Sequence, residues 1–322
     1  MHGKPENSKL NFPPVARSFL PVFSSAFLAK LERLHLLSRR TFGGQSRAER
    51  RSHKMGSSLE FADYRNYVPG DDLRSIDWNI YGRSDKLFLK LFEEEEDLHI
   101  YLLVDTSASM RWQALDPRTD APLRPSKLDL ARQLAGTLAY IGLANMDRVN
   151  VQFFSEELGD DLGLGRGKSH FHQVVKFLER PPEGAAETNL ARSLRAFGQG
   201  TKRRGLVLVL SDFFDPNGYE EALNFLLYQR FEVQLIHLLD PAELTPRLLG
   251  DLRLTDTETG GTFEVTVNEG LVRAYEREFG TFLTGLEAFC QRRGVGYRRA
   301  TTDQTFEDFV LRMLRTGGGL VK

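Results

Sequence analysis

Cysteine is nearly missing from this chain of 322 residues: Cys290 is the only one, so no internal disulfide framework can form. A long hydrophobic run is missing too. Spanning a bilayer takes ~18 consecutive apolar residues. The best candidate, residues 18–29, contains Pro21, Ser24 and Ser25 and runs into Lys30-Leu31-Glu32-Arg33. It also lacks the clean apolar core and small-residue cleavage site of a signal peptide. These absences predict a cytoplasmic protein in a reducing compartment, with no membrane span. Net charge is small at −1.

Hydrophobic residues make up 41% and charged residues 27%, so a sizeable core is within reach. The charge is unevenly spread. Residues 1–54 hold eleven Lys and Arg against three Asp and Glu, whereas Glu93-Glu94-Glu95-Glu96-Asp97 is a compact acidic run. A basic arm of this kind can touch nucleic acid or anionic lipid. It lacks interleaved aromatics, however, so it reads as a solvated helix and tail, and a nucleic-acid partner is not expected. The acidic run reads as a solvated strand flank.

Four prolines within residues 1–24 mark a loose tail. A helix follows from Ser25 to about Arg40, with a loop to residue 55. Residues 56–97 lack a helical period and read as a small β segment, with a turn at Val68-Pro69-Gly70-Asp71 and a strand at Leu87–Phe92. From residue 98 to 316, apolar strands alternate with helices. Leu98–Val104 is a nearly unbroken apolar run, as in a strand buried on both faces. Helix Lys127–Asn145, strand Val149–Phe154, helices near Phe171–Glu179 and Asn189–Phe197, strand Leu206–Leu210, helix Tyr219–Gln229 and strand Phe231–Leu238 follow. A hairpin around Gly260-Gly261, helix Glu269–Arg293, strand Val295–Arg299 and helix Thr305–Leu314 close the chain, with a tail at 317–322. The pattern is that of an α/β fold with a doubly wound, mostly parallel sheet.

Three polar clusters fall where such a sheet binds its ligands, outside the carboxyl ends of the strands. Asp105-Thr106-Ser107-Ala108-Ser109 ends the first buried strand, Thr188 precedes a helix, and Ser211-Asp212 ends the second long apolar strand. Two carboxylates and three hydroxyls, with no Cys and no nearby His, form a hard-oxygen set suited to Mg²⁺, and also to Mn²⁺ or Ca²⁺. Two adjacent carboxylates also repel unless a cation lies between them.

This constellation resembles the metal-ion-dependent adhesion site of von Willebrand factor A domains. The resemblance implies that Ser107, Ser109 and Thr188 ligate the ion directly, with Asp105 and Asp212 acting through water and one position left for a partner's carboxylate. Upstream, Gly56–Phe61 and the run Arg65-Asn66-Tyr67-Val68-Pro69-Gly70-Asp71-Asp72-Leu73-Arg74-Ser75-Ile76-Asp77-Trp78 are similar to the bacterial domain of unknown function 58 family, which joins such a segment to a von Willebrand A-like domain. The likeness covers roughly residues 25–316. It implies a non-enzymatic adaptor or co-chaperone for a MoxR-type AAA+ ATPase, or a module for a client offering a carboxylate. Two departures stand out: residues 111–125 form a longer loop, and Gly82 stands where alanine is expected. Within the upstream run, Asp71, Asp72 and Asp77 face Arg65, Arg74 and Arg83, which predicts a salt-bridge network rather than a second binding surface.

Other motifs carry less. Gly163–Ser169 resembles a phosphate loop, but Leu162 stands at the required first glycine. His170 and His172 lack a third ligand for zinc. An aspartyl phosphotransferase needs a carboxylate where Ser107 stands. The alternative function is a metal-dependent hydrolase of phosphate esters, for which no general base is evident.

Overall fold

The structure is a computed structural model that describes residues 23, 27, 29–32, 60–93, 98–116, 118–182, 187–246, 248–257 and 260–315. Of the expected N-terminal helix, residues 27 and 29–32 are helical. The remainder of residues 1–59, most of the acidic run at 94–97 and the tail at 317–322 lie outside the described residues.

The apolar run predicted as a buried strand is β3 (His99–Asp105), and it lies mid-sheet. It pairs in parallel with β4 (Arg148–Phe154) on one side and, on the other, with β7 (Leu206–Ser211). Beyond β7 lie β8 (Glu232–Leu239) and β11 (Gly296–Thr301), both parallel to it in sequence of pairing. Two short strands missed in the sequence, β5 (Leu158–Asp161) and β6 (Gly165–Arg166), pair antiparallel with β4. The seven-stranded order is β11-β8-β7-β3-β4-β5, with β6 also on β4. The sheet is therefore mixed and mostly parallel, as the alternation of elements predicted.

Helices cover both faces because the strands are apolar on both. One face packs on α3 (Lys127–Ala144), α4 (Gly167–Leu178) and α9 (Phe306–Arg315), and Ile100, Leu102, Val104 and Leu208 point into this layer. Phe23, Phe27 and Leu31 are buried in the same cluster. The opposite face, through Tyr101, Leu103, Val207 and Val209, packs on α5 (Leu190–Gly200), α6 (Glu220–Tyr228) and α8 (Glu269–Arg293). The 25-residue α8 begins at an Asn268 cap and stops at Gly294, whose φ of 70° is the left-handed conformation that glycine adopts without penalty.

The upstream segment forms its own two-stranded antiparallel sheet, β1 (Glu60–Asn66) with β2 (Phe88–Glu93). Between them lie a 3₁₀ turn (Leu73–Ser75) and α1 (Trp78–Ser84), where the sequence showed no helical period. Seven residues are too few to display a period. The helix is held instead by Asp77, which accepts from the backbone N–H of Asn79 (2.9 Å) and Ile80 (3.3 Å). Gly82 has open space in its Cβ direction, so its departure from alanine is structurally neutral. The long loop after β3 contains α2 (Ala108–Arg111) and folds back on itself at a Leu115–Pro122 bridge. A four-residue α7 (Pro241–Leu244) follows β8, and β9 (Gly250–Thr255) and β10 (Thr262–Val267) form the expected hairpin.

Candidate metal centre

The chain leaves β3 for β4 on one side and returns to β7 on the other, so the connections diverge at the carboxyl ends of β3 and β7. A crevice at such a reversal of strand order is where open α/β sheets bind ligands. Asp105 ends β3 and Asp212 directly follows β7, and both are fully buried.

Asp105 is fixed from two sides. One carboxylate oxygen accepts from the Ser107 N–H at 2.9 Å and the other from the Ser211 hydroxyl at 2.5 Å. The Ser107 and Ser109 hydroxyls lie 3.1 Å apart, Ser107 buried and Ser109 half-buried. Asp212 accepts from the Phe214 N–H at 3.2 Å through its second oxygen. Phe213, between them, holds a φ of 57° while fully packed in the core, a strained conformation for an aromatic residue. Thr188 is buried, and its neighbour Asn189 donates to the Ser155 carbonyl just past β4, which places it on the β4 side of Asp105. Four of the five expected residues are thus tied into one cluster at the β3–β7 divide, and Thr188 is placed along the same sheet edge.

A buried lysine escaped the sequence reading. Lys127 is the first residue of α3, wholly buried, with its ammonium 2.7 Å from the free oxygen of Asp212 and in close contact with Glu243 of α7. The Phe214 ring lies 5.0 Å from the same ammonium. Glu243 also accepts from the Asp240 N–H at 2.8 Å, and its backbone carbonyl accepts from the Tyr275 hydroxyl on α8. Asp240 in turn accepts from Thr302 beyond β11 at 2.6 Å and lies 3.6 Å from Arg124 of the long loop. A polar chain therefore runs along the carboxyl end of the sheet from β3 to β11. The available signal was a lysine just after the capping Ser126, where a helix N-terminus favours acidic residues.

Electrostatics follow from burial. The Asp105 carboxyl is pushed up to about 7, by burial first and by the neighbouring Asp212 second. Burial likewise raises Glu243 despite its contact with Lys127. Burial alone would lower the Lys127 ammonium, and the two carboxylates more than reverse this. A histidine is near after all: His237 of β8 sits opposite Ser211 in the sheet register. Its ring is wholly buried, bonded at 2.8 Å to the Tyr297 hydroxyl, and pushed down to about 3 by burial. It is a neutral core side chain.

Among the described residues no three His, Cys, Asp or Glu side chains form a metal cage. A cation at the β3–β7 divide would therefore rest partly on hydroxyls. Ser107, Ser109, Asp105 and Asp212 are all oxygen donors, which fits a hard ion such as Mg²⁺.

The upstream acidic and basic residues divide in two. Arg65 pairs with Asp71 at 2.8 Å, Asp72 caps the 3₁₀ turn, and Asp77 caps α1 while accepting from Tyr64 (3.0 Å) and pairing with Lys90 (3.2 Å). Arg74 and Arg83 are exposed and make no ion pair among the described residues, so the expected network omits them. The phosphate-loop look-alike spans the edge strand β6 and the start of α4.

Two mycobacterial proteins named as uncharacterized are among its relatives. A protein of Mycobacterium tuberculosis is 27% identical over 218 residues, covering 67% of this chain and 66% of its own length. One of Mycobacterium avium is 35% identical over 99 residues, covering 31% and 57%. The chain thus spans just under two thirds of the length of the first of these. Among solved structures, an aerotolerance-related membrane protein of Bacteroides fragilis is 14% identical, covering 68% of this chain and 99% of its own, with a TM-score of 0.40. The protein BatB of Bacteroides thetaiotaomicron is also 14% identical, covering 68% and 100%, with a TM-score of 0.39. An uncharacterized membrane-spanning protein of Vibrio fischeri is 15% identical, covering 68% and 97%, with a TM-score of 0.23.

Two of these three are described as membrane proteins, and the expectation of a cytoplasmic protein is corrected accordingly. A lone cysteine and the lack of an apolar run report on disulfides and spans, not on compartment. Among the described residues no helix is long and apolar enough to cross a membrane. The family signature matches residues 63–280, and the chain belongs to the family described as protein of unknown function DUF58.

Proposed function

We propose that this chain is a divalent-cation-dependent protein-binding module of the von Willebrand factor A type, serving as adaptor or co-chaperone for a MoxR-type AAA+ ATPase or its client. The observation that carries the reading is the pair of buried carboxylates, Asp105 and Asp212, set beside the facing hydroxyls of Ser107 and Ser109 at the switch point of a parallel sheet. Ser107, Ser109 and Thr188 would hold Mg²⁺ directly. Asp105 and Asp212 would hold its waters, since each already has protein donors on both oxygens. When bound, the ion supplies a Lewis-acidic position that accepts a carboxylate from the partner.

The residues around it orient and exclude. The capping box of Ser126 and Asp129 anchors α3, and Ser211 and the Ser107 N–H lock Asp105 in one rotamer. A phosphate-ester hydrolase would need a base within reach of its substrate, and the neighbouring imidazole of His237 is buried against Tyr297. The test is affinity capture of partners with and without chelator, run alongside Mn²⁺ binding followed by electron paramagnetic resonance. Wild type should take up one Mn²⁺ and lose its partner in chelator, and Asp105→Ala should take up no Mn²⁺ and capture no partner in either condition. A partner held equally by both proteins in chelator would refute the reading.

A further inference from the structure

Lysine is a poor choice for the place Lys127 occupies. The first turn of an 18-residue helix carries a partial positive charge that repels an ammonium. Complete burial removes the hydration that an ammonium loses most dearly. Neither helix stability nor packing accounts for it. What does is the pair of carboxylates it meets: Asp212 at 2.7 Å and, on its other side, Glu243. Glu243 is itself held by the Asp240 backbone and, through its own main chain, by Tyr275. The ammonium is thereby pinned between a residue of the candidate metal centre and a residue anchored by the capping box of its own helix and by Tyr275 of α8.

We propose that Lys127 is a tethered cation built into the metal centre, and that it weakens and thereby makes reversible the binding of the divalent ion beside Asp212. This inference rests on the metal-centre reading above. Asp212 offers one of its two oxygens to the ammonium, so part of its charge is neutralised before any ion arrives. A second positive charge entering nearby is repelled by the first. Glu243 counters this by drawing the ammonium away from Asp212, so it sets how much charge Asp212 presents. The arrangement keeps buried carboxylates compensated whether or not an ion is present, as befits a site that must exchange its ligand.

The test compares wild type, Lys127→Met and Glu243→Gln by Mn²⁺ titration and by thermal unfolding in chelator and in Mg²⁺. Lys127→Met should bind Mn²⁺ at least about tenfold more tightly, and Glu243→Gln at least about tenfold more weakly, as expected for one unit charge a few ångströms from a divalent ion. Lys127→Met should unfold well below wild type in chelator, and Mg²⁺ should close most of that gap, because tighter binding to the folded state stabilises it more. A Lys127→Met protein that folds only in Mg²⁺ would support the proposal. One that is equally unstable, or insoluble, in both conditions would make the lysine a plain structural pair and overturn it, as would unchanged Mn²⁺ affinity in Glu243→Gln. If wild type itself binds no Mn²⁺, the metal-centre reading fails and takes this inference with it. Normal wild-type binding with no tightening in Lys127→Met sinks the tethered cation alone.

Discussion

Raising the pH in the presence of a chelator should destabilise the protein through Asp105. Its carboxyl is raised from 3.8 to about 7, by burial and then by Asp212. A carboxyl whose folded pKa lies above its unfolded value contributes stability that is fully present below the unfolded value. That stability is lost as pH rises through the folded one. The window therefore runs from 3.8 to about 7. At about 1.4 kcal/mol per unit, a gap of about three units amounts to roughly 4 kcal/mol over the whole window. Between about pH 5 and pH 8, more than half of it is lost, which is a fall of about 4 °C in Tm for a chain of this size. The assay is thermal unfolding at graded pH for wild type and Asp105→Asn. The amide keeps the shape and one acceptor for the Ser107 N–H, and its charge does not titrate. The difference between the two proteins isolates Asp105, together with its repulsion of Asp212, from all other groups. Wild type should be the less stable of the pair above pH 7 in chelator, and Mg²⁺ should flatten its slope. Parallel pH slopes in the two proteins would refute the reasoning.

Other outcomes follow from particular contacts. Asp77→Ala removes the cap of α1 and strands the Lys90 ammonium, so hydrogen exchange over residues 78–84 should rise to near-unprotected rates, with the cap alone worth about 1 kcal/mol. Unchanged protection there would show that packing, not the cap, holds the helix. Leu208→Ala opens a cavity in the middle of the sheet at a wholly buried position and should cost about 2–5 kcal/mol in chemical denaturation. The Cys290 thiol is pushed up to about 12 by burial, so labelling by a thiol reagent near pH 8 should proceed only through opening of the α8 face; fast labelling of native protein would contradict that burial.

Much of the fold was legible because its central strands are buried on both faces. Leu98–Val104 and Leu206–Leu210 are unbroken apolar runs, and such runs announce inner strands of a parallel sheet. The boundaries of the long helix at 269–293 were also readable, since Asn268 and Gly294 are strong stop signals at its two ends. The edge strands were not: β5 reads Leu-Gly-Asp-Asp and is exposed after its first residue, so no hydrophobic signal marks it. At the site, Asp105, Ser107, Ser109 and Asp212 were found because they lie at strand ends. Lys127 and Glu243 were not, because 116 residues separate them and neither lies in a motif. His237 was overlooked for the opposite reason. It lies within an apolar strand, and only sheet register places it opposite Ser211.

The two margins of the seven-stranded sheet differ from its middle in a way that bears on self-association. On one side β5 and β6 have only four and two residues and turn antiparallel, and β5 meets β4 across an irregular register. On the other, β11 carries Arg298 and Arg299 side by side within six residues. Short, kinked or charged margins are poor templates for an incoming strand. Polymerisation by extension of this sheet is accordingly disfavoured at both margins, even though its innermost strands are among the most apolar segments in the chain.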